Sequence, residues 1–437
     1  MSTGGVVSLV GGLPLSDLCE SSNCRRFSAT AAVVGFFFSF QSITPLISAR
    51  GLGIGSEPGV YFNLIVGTLL LLFTVFLTVG RSRNQVRDFL RIPTMRWMCF
   101  FLIFSLASLA WSATVSPVAS FFYWLELATE VGTVILLFRA DGKAPVFVSL
   151  MRGFVASTAI LALAAWIMPL ESDLRLGDQE YFNTNQIGNL CALSIFFCEF
   201  LRARKAGGNK LVTLLLGVTL LRSLSKATLV AFVVAQLYIL ARGLATRRQK
   251  LTAILGSSLM FLIFFGLFQN YYEVYTTAGN QAETLTGRTT IWAYAISAGL
   301  QSPWVGNGID SMWRVMPPFG VDLFEARHAE NEFLQQFFAY GLVGVVVVIG
   351  LYWSLYRRIR SLPKGSLRTS LTALVIYIAI RGLAEAEPFD LLLPLWMITA
   401  ISLGTSPGDH FDGESGESPG RLTSHPSPGA ICERPIP

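Results

Sequence analysis

The chain contains a series of apolar blocks, most of them near the roughly 20 residues that a helix needs to cross a bilayer. Backbone groups in hydrocarbon must be paired, and the alternation of a membrane β-barrel is absent, so these blocks predict helices. Only 14% of the residues are charged. The sequence therefore predicts an all-α integral membrane protein with about twelve transmembrane helices, at 27–48, 58–80, 97–113, 118–139, 145–168, 183–201, 210–222, 226–241, 251–270, 330–356, 367–384 and 388–404.

Lys and Arg residues collect in alternate loops between these blocks, for example in 81–96, 202–210 and 242–250. Because basic loops stay in the cytoplasm, both termini are predicted to be cytoplasmic. The segment after residue 270 is then external and long enough to need structure of its own. The predicted organisation is a cytoplasmic segment without a removable signal peptide (1–26), helices (27–270), one long structured external loop (271–328), helices (329–404) and a disordered cytoplasmic tail (405–437).

Charge and cysteine usage exclude several functional classes. The net charge of +6 comes from the cytoplasmic loops, which indicates topology and contact with anionic membrane lipids rather than nucleic-acid binding. The six cysteines are scattered over cytoplasmic and intramembrane positions, so neither a disulfide framework nor a zinc site is predicted. No metal-ligand cluster, nucleotide loop or nucleophile elbow occurs, and no metal or cofactor is expected.

The external loop contains the chain's best-placed histidine, in the sequence RHAENEFLQ. A helix that begins near Glu330 would have one face at the membrane surface. That face would carry His328, Asn331, Glu332 and Gln335. A helix N-terminus there would suit a phosphate group, and His328 would be a candidate base. The alternatives are that Asn331 only caps the helix and that His328 is an interfacial anchor. Upstream, Thr289–Leu300 predicts a helix on the membrane surface, ended by a Gly-rich turn.

External basic residues are few, and each is costly near a membrane unless it is paired or binds a ligand. Together they could hold a lipid pyrophosphate through bidentate guanidinium contacts. Salt bridges are the alternative, most of all for Arg381, which lies one helical turn from Glu385. The candidates for an anion site are Arg175, Arg222, Lys226, Arg288 and Arg327.

Two carboxylates, Glu126 and Glu130, lie one turn apart inside the predicted span 118–139. Acidic groups at this depth require a partner or a lumen, so a secondary transporter or channel is an alternative from another functional class. A proton relay would need matching groups in other spans, and the sequence offers none in their interiors.

Several motifs, in order along most of the chain, resemble the O-antigen ligase and polymerase superfamily. Residues 287–308 and 328–344 are the most specific, because they combine the Gly-rich turn with the His-containing helix start. The order and spacing strengthen the resemblance beyond any single motif. The segments are SLASLAWSATVSP (105–117), FNTNQIGNLCALS (182–194), SLSKATLVAF (223–232), GRTTIWAYAISAGLQSPWVGNG (287–308) and HAENEFLQQFFAYGLVG (328–344).

The resemblance implies a membrane glycosyltransferase that moves glycan from undecaprenyl pyrophosphate at the periplasmic face of a bacterial inner membrane. A surface polysaccharide polymerase is the first expectation, and an O-antigen ligase acting on lipid A core or another acceptor is the alternative. The resemblance also implies basic residues on the pyrophosphate and a chain-length regulator protein as a possible partner. The family often has His directly before Asn331, where this chain has Glu330. His328 and Glu330 therefore both stay candidates for the base.

Overall fold

The fold is known from a computed structural model. In the part of the chain that it describes, the regular structure is helical and the only β feature is an isolated bridge between Asp178 and Phe182. The predicted span 251–270, most of the tail and part of the external loop lie largely outside the described residues. Those described are 15–79, 86–140, 143–168, 175–178, 180–204, 206–242, 285–313, 315–318 and 325–405, with isolated positions between 248 and 269.

The helices follow the apolar blocks, with ends that differ from the predicted ones by several residues. They are α1 (Leu15–Phe40), α2 (Thr44–Leu46), α3 (Glu57–Thr78), α4 (Val86–Leu90), α5 (Pro93–Ser108), α6 (Pro117–Ala140), α7 (Lys143–Ile167), α8 (Thr184–Ala203), α9 (Lys210–Ser223), α10 (Lys226–Arg242), α11 (Leu285–Gly299), α12 (Glu332–Arg360), α13 (Ser366–Arg381) and α14 (Leu395–Gly404).

Five helical segments within the described residues are long and apolar enough to cross a membrane. The prediction of an all-α membrane protein is confirmed at this level, whereas the count of about twelve spans is not. Several predicted spans correspond to helices below that length, such as α9, α10 and α14. The five segments are Ser28–Gly51, Glu57–Thr78, Pro117–Ala140, Pro145–Ile167 and Glu332–Arg360.

Helix α3 has the most exposed apolar surface of these segments. Only 11% of its apolar window is buried within the protein, and Ile65, Leu69 and Phe76 are exposed. Surface of this kind would be unstable in water but matches hydrocarbon. Its inner face packs against α6, so α3 lies at the lipid-facing edge.

Helices α1 and α7 cross at closely spaced glycines. A Cβ atom on Gly35 would lie 1.9 Å from the Leu150 carbonyl oxygen, and one on Gly153 would lie equally close to the Ala32 carbonyl oxygen. Without side chains at these two positions the backbones can approach directly, as is common for helices packed within membranes. The contact anchors the N-terminal half of the core.

Helix α12 is interrupted at Gly341, which has φ 63° and ψ −157°. The Gly-rich turn 303–308 enters this break and supplies backbone partners that the helix itself would otherwise provide. The two most specific motifs are therefore joined by main-chain hydrogen bonds. These run from Asn307 N to Phe338 O (3.0 Å), from Gly308 N to Ala339 O (2.7 Å), from Leu342 N to Pro303 O (2.8 Å) and from Val343 N to Trp304 O (3.2 Å).

The segment between α13 and α14, residues 382–394, has no regular helix. The predicted span 388–404 is therefore wrong at its start, since α14 begins at Leu395 after Pro394. The start of α12 holds both ends of this segment. Glu332 N donates to Gly382 O (2.9 Å), and the Glu332 carboxylate accepts from Leu392 N (3.0 Å). Irregular backbone at this position is stabilised because its polar groups find partners inside the protein.

Candidate active site

Arg288, in the first turn of α11, contacts two carboxylates that are distant in sequence. Its Nη2 lies 3.4 Å from Glu330 Oε2 and 3.4 Å from Glu385 Oε1. The Arg288 and Glu330 side chains are 22% and 19% exposed, whereas Glu385 is 5% exposed. The first two can therefore meet a substrate, while Glu385 supports them from behind.

Glu385 also faces the buried guanidinium of Arg381, with 4.0 Å between Oε2 and Nη2. The alternative that Arg381 forms a salt bridge is thus confirmed. Asn185 Nδ2 donates to Glu385 Oε1 at 2.8 Å. One carboxylate therefore joins α8, α11 and α13 at a single point, as expected for a buried charge that must be paired and hydrogen-bonded.

His328 lies beside this cluster but outside α12. The prediction that it shares a helical face with Asn331, Glu332 and Gln335 is wrong, because α12 begins only at Glu332 and Glu330 adopts φ 51°. A left-handed residue at this place ends any helix that would include His328. His328 Nδ1 instead accepts from Glu330 N (3.3 Å) and lies 3.9 Å from Glu330 Oε1.

Burial lowers the pKa of His328 below its ordinary value, against the opposite effect of the Glu385 and Glu387 carboxylates. Burial also raises the pKa of Glu385 to about 7, and Glu330 acts in the same direction, while Arg381, His328 and Arg288 oppose them. At neutral pH, His328 is therefore a neutral imidazole beside a carboxyl group that titrates there. Such shifts are typical of sites that transfer protons.

Asn331 is the N-cap of α12, as one of the alternatives predicted. Its Oδ1 accepts from Leu334 N (3.1 Å), and its Nδ2 donates to Leu383 O (3.0 Å). The side chain thus satisfies a free amide of the helix and ties it to the 382–394 segment. Both contacts of Asn331 are structural. Its predicted role in substrate binding stays a prediction.

The other predicted anion ligands lie at several places. Arg327 donates to the Glu180 carbonyl oxygen (3.4 Å) and stacks 5.4 Å from the Trp313 ring centroid. Arg175 is buried, Arg222 is buried in the last turn of α9, and Lys226 is exposed at the first position of α10. The structure brings Arg288, His328 and Glu330 together, and it gives Arg327 different partners.

The carboxylates of α6 have neighbours that the sequence did not indicate. Gln41 Nε2 donates to Glu130 Oε1 at 2.5 Å. Asp390, in the 382–394 segment, is within electrostatic range of both Glu130 and Glu332. Asp390 lies in an irregular segment and Glu332 at the first position of α12, so neither places a matching carboxylate in the interior of another described span. Among the described residues, no group of three or more His, Cys, Asp or Glu side chains has an arrangement that fits a metal ion.

Comparison with known proteins agrees with the motifs. Residues 211–349 match the O-antigen ligase family. The exopolysaccharide production protein ExoQ of Rhizobium meliloti (strain 1021) is 25% identical over 286 aligned residues, which cover 58% of this chain and 62% of that protein. The resemblance to the O-antigen ligase and polymerase superfamily is confirmed. The region matched to this superfamily contains Arg288, His328 and Glu330, whereas Asn185 and Glu385 lie outside it.

Sequence reasoning missed the central place of Glu385 and the role of Asn185. The sequence indicates Glu385 only as a partner for Arg381, one turn away, because the contact of Glu385 with Arg288 joins residues that are 97 positions apart. Asn185 lies in the motif 182–194, which the sequence connects with function only through the family resemblance. A polar residue at the start of an otherwise apolar helix was the available signal, since such groups need partners inside a membrane.

Proposed function

We propose that this protein is a membrane glycosyltransferase that moves glycan from undecaprenyl pyrophosphate at the periplasmic face of a bacterial inner membrane. A surface polysaccharide polymerase is the first choice, in keeping with the similarity to an exopolysaccharide production protein. The observation that carries the proposal is the convergence of Arg288, His328 and Glu330 in one partly exposed cluster. Basic and proton-accepting groups at one point are what transfer from a pyrophosphate requires.

In the proposed reaction, an acceptor hydroxyl oxygen bonds to the anomeric carbon while the bond from that carbon to the pyrophosphate oxygen breaks. Undecaprenyl pyrophosphate leaves with the electron pair, and Arg288 stabilises its charge. The hydroxyl proton passes to His328 or Glu330. Further contacts to the diphosphate or glycan are proposed for four other basic residues, Arg175, Arg222, Lys226 and Arg327.

Proposed partners follow from the same reaction. In a polymerase the acceptor is another lipid-linked repeat, and in a ligase it is lipid A core or another acceptor. Membrane lipids surround the protein, and a chain-length regulator protein is a proposed partner. The reaction as proposed uses neither a cofactor nor a metal ion.

The test is to incubate the purified full-length protein with a labelled undecaprenyl-pyrophosphate repeat unit, with and without lipid A core, and to follow product size. Lengthening of the lipid-linked glycan without core supports a polymerase. Transfer only in the presence of core supports a ligase. Arg288→Ala should abolish transfer, whereas Arg91→Ala, which removes an exposed pair with Asp88, should retain it. No transfer with a matched repeat unit would contradict the proposal.

A transporter or channel is the second candidate, favoured by the buried carboxylate of Glu130 within α6, which accepts from Gln41 Nε2. Its test is proton or ion flux in proteoliposomes. Flux that is lost in Glu130→Gln but kept in Arg288→Ala would support it, because the two functions would then depend on different groups.

A further inference from the structure

Asn185, the second residue of α8, connects the candidate active site with the hairpin between α9 and α10. Its amide nitrogen donates to Glu385 Oε1 (2.8 Å), and its amide oxygen accepts from Ser225 Oγ (2.7 Å). Both ends of the amide are therefore engaged, which fixes which end faces Glu385. A side chain held at both ends presents a preorganised donor to the carboxylate.

The same hydrogen-bond chain continues to the other side of Glu385. The Ser225 and Thr228 hydroxyl oxygens are 2.8 Å apart, and Arg381 Nε donates to Thr228 Oγ1 (3.3 Å). Arg381 in turn faces Glu385 Oε2. Ser225 Oγ faces both the Asn185 amide oxygen and Thr228 Oγ1 as a donor, so its single hydrogen is shared between these two acceptors. The result is a closed ring of contacts from Glu385 through α8 and α10 to α13.

We propose that Asn185 is a positioning residue, which holds the Glu385 carboxylate toward Arg288 and thereby fixes the guanidinium that meets the pyrophosphate. The inference rests on the proposed function and extends it to Asn185 in the motif 182–194 and to Ser225 and Thr228 in the motif 223–232, residues to which the proposed reaction gives no role. Asn185 does not contact the reacting atoms in this scheme. It acts through a carboxylate that is almost fully buried.

The physical basis is that Glu385 must be ionised to hold Arg288. A hydrogen bond from Asn185 favours the ionised form, whereas burial raises the pKa of Glu385 to about 7. Loss of that bond should therefore raise the pH at which Glu385 ionises. The charged and titratable groups that face Glu385 are Arg288 on α11, Arg381 on α13, His328 and Glu330 before α12, and Glu387 in its own segment.

The test compares full-length wild type, Asn185→Ala and Asn185→Asp in lipid nanodiscs over a range of pH. Asn185→Ala should move the acidic limb of the kcat/KM profile upward by about one pH unit, the size expected for a lost hydrogen bond to a charged group. It should act mainly through the KM for the lipid-linked donor. Asn185→Asp should move the limb further, because it adds a like charge beside Glu385.

The matched control is Asn183→Ala, which removes the N-cap of the same helix. The Asn183 side chain accepts from Gln186 N (2.9 Å). Its loss should lower the melting temperature and leave the acidic limb unchanged, so a merely structural effect is recognisable. Ser225→Ala provides a second, milder variant, which frees the far end of the Asn185 amide and should move the limb in the same direction by less.

Binding of inorganic pyrophosphate, measured by calorimetry, gives a readout that does not need transfer. Asn185→Ala should bind it more weakly than wild type at pH 7, with the difference reduced at pH 8.5. In one outcome the wild type transfers glycan or binds pyrophosphate while both Asn185 variants keep the wild-type pH profile. That result would overturn this inference alone. Absence of both transfer and pyrophosphate binding in the wild type would overturn the proposed function together with it.

Discussion

The Glu385 carboxyl group lies between two guanidinium groups, and yet the net effect on it is a raised pKa of about 7. Desolvation therefore outweighs the attraction of Arg381 and Arg288 at this position. A group in this state can change its charge near neutral pH, which a fully solvated ion pair cannot do. The net charge around Arg288 is consequently sensitive to small changes in the surroundings of Glu385.

This shift gives a prediction for stability. The folded-state pKa of Glu385 exceeds the ordinary carboxyl value of about 4.3, so its contribution to stability is complete below that value and is lost as pH rises through about 7. The melting temperature of wild type should fall over this range. Glu385→Gln should make the curve flatter, whereas Glu57→Gln, at an exposed position, should not. An equally steep curve for Glu385→Gln would contradict the assignment.

A second prediction distinguishes the two candidate bases. His328→Gln and Glu330→Gln each keep a polar side chain but cannot accept the acceptor's proton. The variant that removes the base should lose roughly 10²–10⁴-fold in kcat, and the other should lose much less. Turnover at saturating donor is the measurement. Equal, small losses in both variants would mean that neither residue is the base.

Part of this site could be predicted from residue types alone. Arg288 and His328 stand out because few charged or titratable groups lie in the predicted external loop, whereas Glu330 becomes a candidate base only through the family resemblance. The structure brings the three side chains together. Their geometry was not predictable, since it depends on the left-handed conformation of Glu330. The contact of Asn185 with Glu385 joins residues 200 positions apart, and no local pattern indicates such a pair.

At the scale of elements, the break in α12 is the feature on which the site's placement depends. Gly341→Ala should be strongly destabilising, because the position has φ 63° and a Cβ atom would lie 2.4 Å from the Trp304 carbonyl carbon. The expected loss in the free energy of unfolding is at least about 2 kcal/mol. The measurement is the melting temperature, which should be lower for Gly341→Ala than for the wild type.

The matched control for that substitution is Gly217→Ala in α9, where a Cβ atom would meet nothing within 4 Å. It should be neutral or stabilise by roughly 0.5–1 kcal/mol, since alanine favours the helix. If both variants melted at the wild-type temperature, the turn 303–308 would not be needed to support α12.

Helix existence was predictable from hydrophobicity, but several boundaries were not. Hydropathy places the 382–394 segment partly in two predicted spans, because its leucines resemble the apolar residues on either side. Its irregular backbone depends on Glu332 and on Asn331, whose side chain donates to Leu383 O. Those partners lie at the start of α12, which precedes the segment by dozens of residues. The hydropathy of the segment therefore does not indicate them.

At the scale of the whole molecule, the two ends of α12 should lie on opposite sides of the membrane. The helix has 29 residues and, with its interruption at Gly341, is still long and apolar enough to cross a membrane. In a background without the native cysteines, Gln301→Cys should react with an impermeant maleimide in intact spheroplasts. Lys364→Cys should react only after lysis. Labelling of Lys364→Cys from outside would reverse the predicted orientation.

The five motifs of the family resemblance form two groups in space. Residues 105–117, 287–308 and 328–344 meet around the broken helix, where Ser112 Oγ donates to Ile309 O and Ala113 N donates to Asn307 O (2.8 Å). Residues 182–194 and 223–232 meet beside Glu385. Their order in the sequence indicates a resemblance to one family, while only the fold shows that the first group surrounds the break in α12 and that the second supports Arg288 through Glu385.

The docking of residues 303–308 into α12 also bears on how the chain assembles during synthesis. Until this turn is in place, the break at Gly341 leaves main-chain groups unpaired, which hydrocarbon penalises by several kcal/mol each. The turn precedes α12 in the chain, so it is synthesised first. The nascent helix can therefore meet its partner as it enters the bilayer, and a delay in the folding of residues 303–308 should hold back the insertion of α12.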